Sequence, residues 1–369
     1  MEHRDHDAPP HDGSRERTGG GPGARGAPLR TLLVAGAVVL ALYFARSVVI
    51  PAVFALVLAV LVQPVAAWLS RRMPRWLSLT IVLLGMAVLL SSAGYLFVTG
   101  ISSIVAKAPQ YAGRFKDTLD NLLAFARNHG VTISADTLNI EEHLARAIQF
   151  VGAGLTSVLG ALGAILLVLV LMGFGLVEAD EFLPRLRRAF GAKRASRALD
   201  LVGPLTSSLQ RYLLAKTALS FATAALTYLA CLVLGIDFAF VWGALTFIFD
   251  YVPYVGPVLA AAPPTLMALV QYQGPGRALG ILAAIVGIQF ATSYIAEPRI
   301  MGRALRLSPL FVLVSVMFWG WFWGASGVVL AVPLSAALVA ACSRVDRLRS
   351  LTTLLGALPD GGSGDKQKA

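Results

Sequence analysis

The chain has 369 residues, 57% of them hydrophobic and 14% charged, with a mean hydropathy of +0.72 and a formal net charge of +11. A soluble domain is nearer ~45–50% apolar and ~25% charged, so this composition excludes an ordinary soluble enzyme with an enlarged core. The basic residues sit in short clusters beside apolar runs rather than on a polar domain of their own, which argues against a nucleic-acid partner.

Residues 1–28 are polar, rich in Gly, Pro and Arg, and without periodicity, and read as a disordered cytoplasmic tail. His3, His6 and His11 lie there among acidic residues and are taken as solvated rather than metal-binding. Residues 29–101 hold three apolar spans. They run at about Leu32–Phe44, Val48–Leu69 and Leu77–Ile101, each near the ~20 residues that cross a bilayer. Arg15, Arg17, Arg25 and Arg30 precede the first, and Arg71, Arg72 and Arg75 follow the second, so both places are expected on the cytoplasmic side.

Residues 102–148 are polar, with Tyr111, Phe115, Leu119 and Leu122 at helical spacing and balanced charges, and are expected to form an external amphipathic loop. A fourth span is expected within 149–177. Residues 178–212 carry Arg185, Arg187, Arg188, Lys193, Arg194 and Arg197 and read as a cytoplasmic amphipathic segment at the interface. Span five, about Leu213–Leu234, contains Lys216, expected to snorkel toward the cytoplasm. Asp237 follows the span and is expected to cap the next helix.

Residues 213–345 form the expected transporter core. Two apolar runs in it, 238–272 and 309–342, are too long for one span. The first is interrupted at Asp250-Tyr-Val-Pro-Tyr-Val-Gly-Pro257 and the second near Trp323-Gly-Ala-Ser-Gly327. Proline and glycine at these places break helices. A single span, 278–297, lies between the runs. Arginines on both sides of the second run place both its ends inside. The two runs are therefore expected to be hairpins of opposite orientation, re-entrant or fully crossing. Residues 346–369 are expected to form a cytoplasmic tail. The fold class is all-α: a polytopic transmembrane bundle with two opposed broken-helix hairpins. The expected location is a bacterial inner membrane, with both termini cytoplasmic.

Broken helices in a bilayer persist only where protein or a wet cavity satisfies their backbone. Opposed broken elements recur at the substrate sites of secondary transporters. The candidate pathway residues are therefore Asp250, Pro253, Tyr254, Gly256 and Pro257 at the first break. Gln289, Ser293, Glu297, Pro298, Arg299 and Gly302 lie along and after the single span, and Ser326 lies at the second break. Asp250 is an acid inside an apolar run, which is costly and often marks an ion path; a capping role is the plainer alternative. Glu297 and Arg299 flank Pro298 and read either as a gate or as an interfacial ion pair. Gln289, Thr292 and Ser293 fit a polar path or ordinary interhelical hydrogen bonding. Trp319, Trp321 and Trp323 fit an interfacial anchor or packing.

Gly324-Ala-Ser-Gly327 has the shape of an intramembrane-protease nucleophile. A serine nucleophile needs a base, and every histidine, including His129 and His143, lies outside the spans. No Gly-x4-Gly-Lys-Ser/Thr loop exists to bind nucleotide. Cys231 and Cys342 lie in apolar runs and read as small hydrophobes. No catalytic residue, cofactor or metal is expected. The expected partners are the lipid bilayer, a small-molecule or ion substrate, and further copies of the chain.

Phe249-Asp-Tyr-Val-Pro-Tyr-Val-Gly-Pro257 with Pro263-Pro264 resembles a signature of the autoinducer-2 exporter (AI-2E) family. So do Glu297-Pro-Arg-Ile-Met-Gly-Arg303 with Leu307-Ser-Pro309, and Phe318-Trp-Gly-Trp-Phe-Trp-Gly324 with Gly327 and Leu330-Ala-Val-Pro-Leu334. The resemblance is strong over about residues 205–345, and the upstream layout of spans fits as well. It implies a multispan, often oligomeric transporter; members are linked to export of a quorum-sensing signal and some to sodium/proton antiport. The pattern departs at Asp250, where many relatives carry an uncharged polar residue. Export of a small polar metabolite or autoinducer-like signal, ion-coupled or facilitative, is the expectation. Sodium/proton exchange, or a non-transporting scaffold or pore, is the alternative.

Overall fold

A computed structural model describes residues 33, 36, 37, 39–128, 158–301 and 308–342. The expected terminal tails, residues 129–148 of the expected external loop, and Gly302 lie outside the described residues. The chain divides into two compact units, Met1–Arg46 and Ser47–Ala369. In the first, residues 39–44 are helical and Arg46 lies over the Tyr43 ring.

From Arg46 onward the described residues form ten α-helices and no strand. They are α1 (Arg46–Ser70), α2 (Arg75–Asn128), α3 (Val158–Phe190), α4 (Ala192–Val233), α5 (Ala239–Phe249), α6 (Gly256–Tyr272), α7 (Pro275–Phe290), α8 (Glu297–Met301), α9 (Pro309–Trp323) and α10 (Ala325–Cys342). A π-helical turn, Ala291–Ala296, joins α7 to α8. The protein is an all-α, multi-pass membrane protein. Among the described residues four helical segments are long and apolar enough to cross a bilayer: Arg46–Ser70, Arg75–Thr118, Thr206–Val233 and Pro275–Ile300. Large apolar side chains cover their outer faces, among them Leu56, Leu84, Val88, Phe221 and Val233. In water such a surface would drive association; in lipid it is the solvent-facing side.

Three of the segment divisions expected from the sequence fall inside continuous helices. No break occurs at residue 101, because α2 runs on through Pro109 to Asn128. At 1.5 Å per residue its 54 residues extend about 80 Å, far beyond a ~30 Å hydrocarbon layer. The change from apolar to polar surface at 101 marks a change of surroundings, not of backbone. Likewise α3 continues past 177 into the basic segment. The expected boundary at 212 falls inside α4, which carries that segment straight into span five. The actual break is Gly191, whose φ of 79° an L-residue rarely adopts.

Both long apolar runs break where proline and glycine predicted. In the first, the ends meet again: the Gln271 Oε1 accepts from the Asp237 amide at 2.9 Å, and the Tyr272 hydroxyl donates to the Gly235 carbonyl at 2.7 Å. So α5 and α6 form an antiparallel hairpin with its tip at 250–255. Gly256 lets this tip close, since a methyl group there would overlap the Phe249 carbonyl. In the second, the Trp319 indole donates to Ser335 Oγ at 3.0 Å, so α9 and α10 also pack antiparallel. Gly327 lies against the Trp319 carbonyl with no room for a side chain.

Contacts fix how the hairpins meet. Val312 and Val332 pack with Tyr212 and Leu213 of α4. One turn further along α9, Val316 packs with Ala331 and with Val252 in the first hairpin's tip. The second hairpin thus packs against both α4 and the tip of the first. Meanwhile α7 and α8 run antiparallel to α4: Arg277 donates to the Leu234 carbonyl at one end, and Glu297 meets Lys216 at the other.

Candidate functional site

Helix α4 places Lys216, Ser220, Thr223 and Thr227 at steps of four, three and four residues, which is one helical face. In an apolar helix such a face has to be covered by protein, and all four side chains are buried. Helices α5 and α7 pack against α4. They bring in Asp250 at the C-terminal end of α5 and Glu297 at the first residue of α8.

The charged groups converge. Lys216 Nζ lies 3.1 Å from Asp250 Oδ2 and 3.4 Å from Glu297 Oε2. Ser220 Oγ donates to the same Asp250 oxygen at 2.6 Å. The side chains of Lys216 and Asp250 are 8% and 5% exposed, whereas that of Glu297 is 30% exposed. One cation is therefore shared between a deeply buried carboxylate and a half-buried one. Beside them the Tyr251 hydroxyl and Thr217 Oγ1 lie 2.8 Å apart. Thr246, one turn before Asp250, is also buried and donates to the Trp242 carbonyl at 2.8 Å.

Several sequence expectations change here. Lys216 does not snorkel; it turns into the protein, because two carboxylates compensate its charge there. Asp250 ends α5, but its side chain accepts from Ser220 and Lys216 rather than capping the break. The ion pair made by Glu297 is with Lys216, while Arg299 is exposed. Asp237 does not cap α5 either: the residue in that position is Phe238, in a left-handed conformation. Asp237 instead accepts from the Tyr111 hydroxyl and pairs with Lys107 at 3.3 Å, both from the far part of α2. The Tyr111 hydrogen bond, and then Lys107, hold the Asp237 carboxyl below its usual range.

The remaining candidates are spread along the core. Gln289 is buried, and Ser293 is half-buried within the π-turn. Pro253 and Pro257 shape the first tip, where Tyr254 is exposed at a φ of 65°. Pro298 is exposed, and Ser326 is half-buried at the second tip, within one turn of Gly324. Of the second hairpin's tryptophans, Trp319 and Trp323 pack with their rings tilted by 43° and centroids 5.3 Å apart, and Trp321 is 78% exposed. Among the described residues no group of three or more His, Cys, Asp or Glu side chains gathers to hold a metal. The sequence reading missed Lys216 and Ser220 as site members. Their signal was the buried-face spacing with Thr223 and Thr227, present in the sequence but overridden by the apolar surroundings.

The comparisons with known proteins bear on this arrangement. Residues 32–347 match the family described as AI-2E family transporter. The chain is similar to the "AI-2 transport protein TqsA" of Escherichia coli, with 32% identity over 85% of this chain and 91% of that protein. It is also similar to a "Putative transport protein" of Haemophilus influenzae (27% identity over 90% of this chain and 97% of that one). A third relative, the "Putative transport protein YhhT" of Escherichia coli, is 26% identical over 80% of this chain and 84% of its own. With the broken helices and the family match over most of its length, the chain belongs to the AI-2E family of transporters.

Proposed function

We propose that this transporter moves a small polar solute out of the cell along the interface between α4, the first hairpin and α7–α8. The observation that carries this is Lys216 held between Asp250 and Glu297 inside an apolar bundle. Charge at membrane depth is expensive and survives where it is used. A lysine shared by two acids is also a natural two-position element. A proton or a cation arriving at Asp250 would release Lys216 toward Glu297, and its departure would draw Lys216 back. That exchange would couple an ion gradient to movement of the hairpin tip that carries Asp250.

The name of the Escherichia coli relative supports an autoinducer-like signal as the exported solute. The site residues in this reading are Asp250, Glu297, Lys216 and Ser220, with Gln289 and Ser293 lining the path and Pro253, Gly256 and Pro257 shaping the tip. The protein sits in a bacterial inner membrane with both termini cytoplasmic, its hairpins entering from opposite faces. It assembles with copies of itself, which crosslinking in native membranes tests. Sodium/proton exchange is the second reading, favoured by the short Ser220–Asp250 contact that would ligate a small cation.

Reconstitution of the full chain into liposomes tests the proposal. Solute flux driven by a proton or sodium gradient is expected, and is lost in Lys216→Met and Asp250→Asn. Flux that ignores both gradients favours a pore. Absence of flux for every solute and ion leaves only a scaffold. Cation exchange without solute movement supports the second reading.

A further inference from the structure

Two polar side chains in the core stand apart from the charge cluster. Gln289 is 5% exposed, and neither its amide nitrogen nor its carbonyl oxygen has a hydrogen-bond partner. Thr227 is fully buried, and its hydroxyl is also unpartnered. Threonine in a helix normally returns its hydroxyl to the carbonyl one turn back. The described buried threonines Thr118, Thr223, Thr246 and Thr292 all do so. Thr227 does not.

The two residues lie on neighbouring helices, α4 and α7. Cys231 on α4 and Ile285 on α7 belong to one buried cluster, with Val241, Trp242 and Ala261. Thr227 is one turn from Cys231 on the same face, and Gln289 is one turn from Ile285 on the same face. Both steps go toward the Lys216–Glu297 end of these antiparallel helices. Thr227 and Gln289 therefore each lie, along their own helix, between the apolar cluster and the charges. The π-turn begins two residues after Gln289. Such turns are frequent at functional sites, where they loosen the backbone ladder.

We infer that Gln289 and Thr227 form a hydrogen-bonding subsite for an uncharged, hydroxyl-bearing part of the transported solute. The inference rests on the transport reading above and adds the class of group recognised. An amide with a free donor and a free acceptor, plus a free hydroxyl, matches groups that both donate and accept, which is the property of an alcohol. The neighbouring cluster has one formal cation and two formal anions, so it repels a further anion at this depth. Neutral polyols fit both conditions, and carboxylated solutes do not.

The probe is tritiated xylitol, tested on the full-length protein in phosphatidylethanolamine–phosphatidylglycerol nanodiscs. Saturable binding is expected, displaced by unlabelled xylitol but at least about ten-fold less well by 1,5-pentanediol, which lacks the inner hydroxyls, or by the xylonate anion. Gln289→Leu and Thr227→Val should each weaken binding about ten-fold, while Gln289→Leu keeps or raises the melting temperature because an unpartnered amide is removed. Absence of saturable binding, equal competition by the diol, or unchanged binding in both variants overturns the subsite; a region occupied by water alone gives that result. Liposome flux separates the two readings. Xylitol binding without flux of any solute sinks the transport reading and leaves the subsite. Flux of other solutes with no xylitol binding sinks the subsite alone.

Discussion

Replacing Lys216 with methionine keeps most of the apolar stem and removes the charge. Asp250, whose side chain is 5% exposed, then keeps Ser220 as a donor but loses its countercharge. Glu297 loses the same partner but, at 30% exposed, retains some solvent. The cost therefore falls mainly on Asp250. Breaking a buried ion pair from one side costs about 3–5 kcal/mol. Even about 3 kcal/mol is roughly a hundred-fold in the folding equilibrium, a large part of the ~5–15 kcal/mol that holds a typical protein folded. Removing the acid as well relieves the orphaned charge, so Lys216→Met combined with Asp250→Asn should recover at least about 2 kcal/mol of the loss. Reversible unfolding of the full-length protein in mixed micelles, run as a double-mutant cycle, reads this directly. If the two single effects simply add, to within about 0.5 kcal/mol, Lys216 and Asp250 are not coupled and the charge-sharing account fails.

Ser220→Ala should cost about 1.5–3 kcal/mol, since it removes a hydrogen bond to a charged group; the same unfolding assay checks it, and no change would mean the 2.6 Å contact is not maintained. Gly256→Ala and Gly327→Ala should each push a hairpin tip open and reduce thermal stability by several degrees, whereas Gly85→Ala, at a site with free space around it, should not. The clamp on Asp237 should depend on pH in a defined direction. Its carboxyl is held below the usual range, so the clamp contributes stability above about pH 4 and loses it as pH falls through the folded-state value. Melting temperature in detergent should therefore fall more steeply below pH 4 in the parent than in Asp237→Asn, and parallel curves would show that the Tyr111 and Lys107 contacts carry no weight. In a background lacking Cys231 and Cys342, a cysteine at Gly274 should react with an impermeant reagent from outside and one at Arg72 from inside; the reverse pattern refutes the proposed orientation.

Much of the bundle was legible from local chemistry. Pro253, Pro257, Gly256 and Gly324 mark the two hairpin tips because proline and glycine disrupt helices regardless of surroundings. Asp250 and Glu297 stood out as acids in or beside apolar stretches. The continuity of α2 through residue 101 was not legible, since hydropathy reports what a helix touches and not where its backbone ends. Lys216 was read as an interfacial residue because its compensation comes from residues 34 and 81 positions away, which no local pattern encodes. Asp237 looked like a helix cap for the same reason: its actual partners, Lys107 and Tyr111, lie about 130 residues earlier in the chain, on the part of α2 beyond residue 101.

In the proposed mechanism the polar face of α4 lines the route taken by solute. Ser220→Cys in the background lacking native cysteines, treated with a small charged thiol reagent in liposomes, tests it most directly. Modification that proceeds from at least one side and stops flux is the predicted result. A cysteine at Ser220 that stays unreactive while transport runs at full rate would contradict the account.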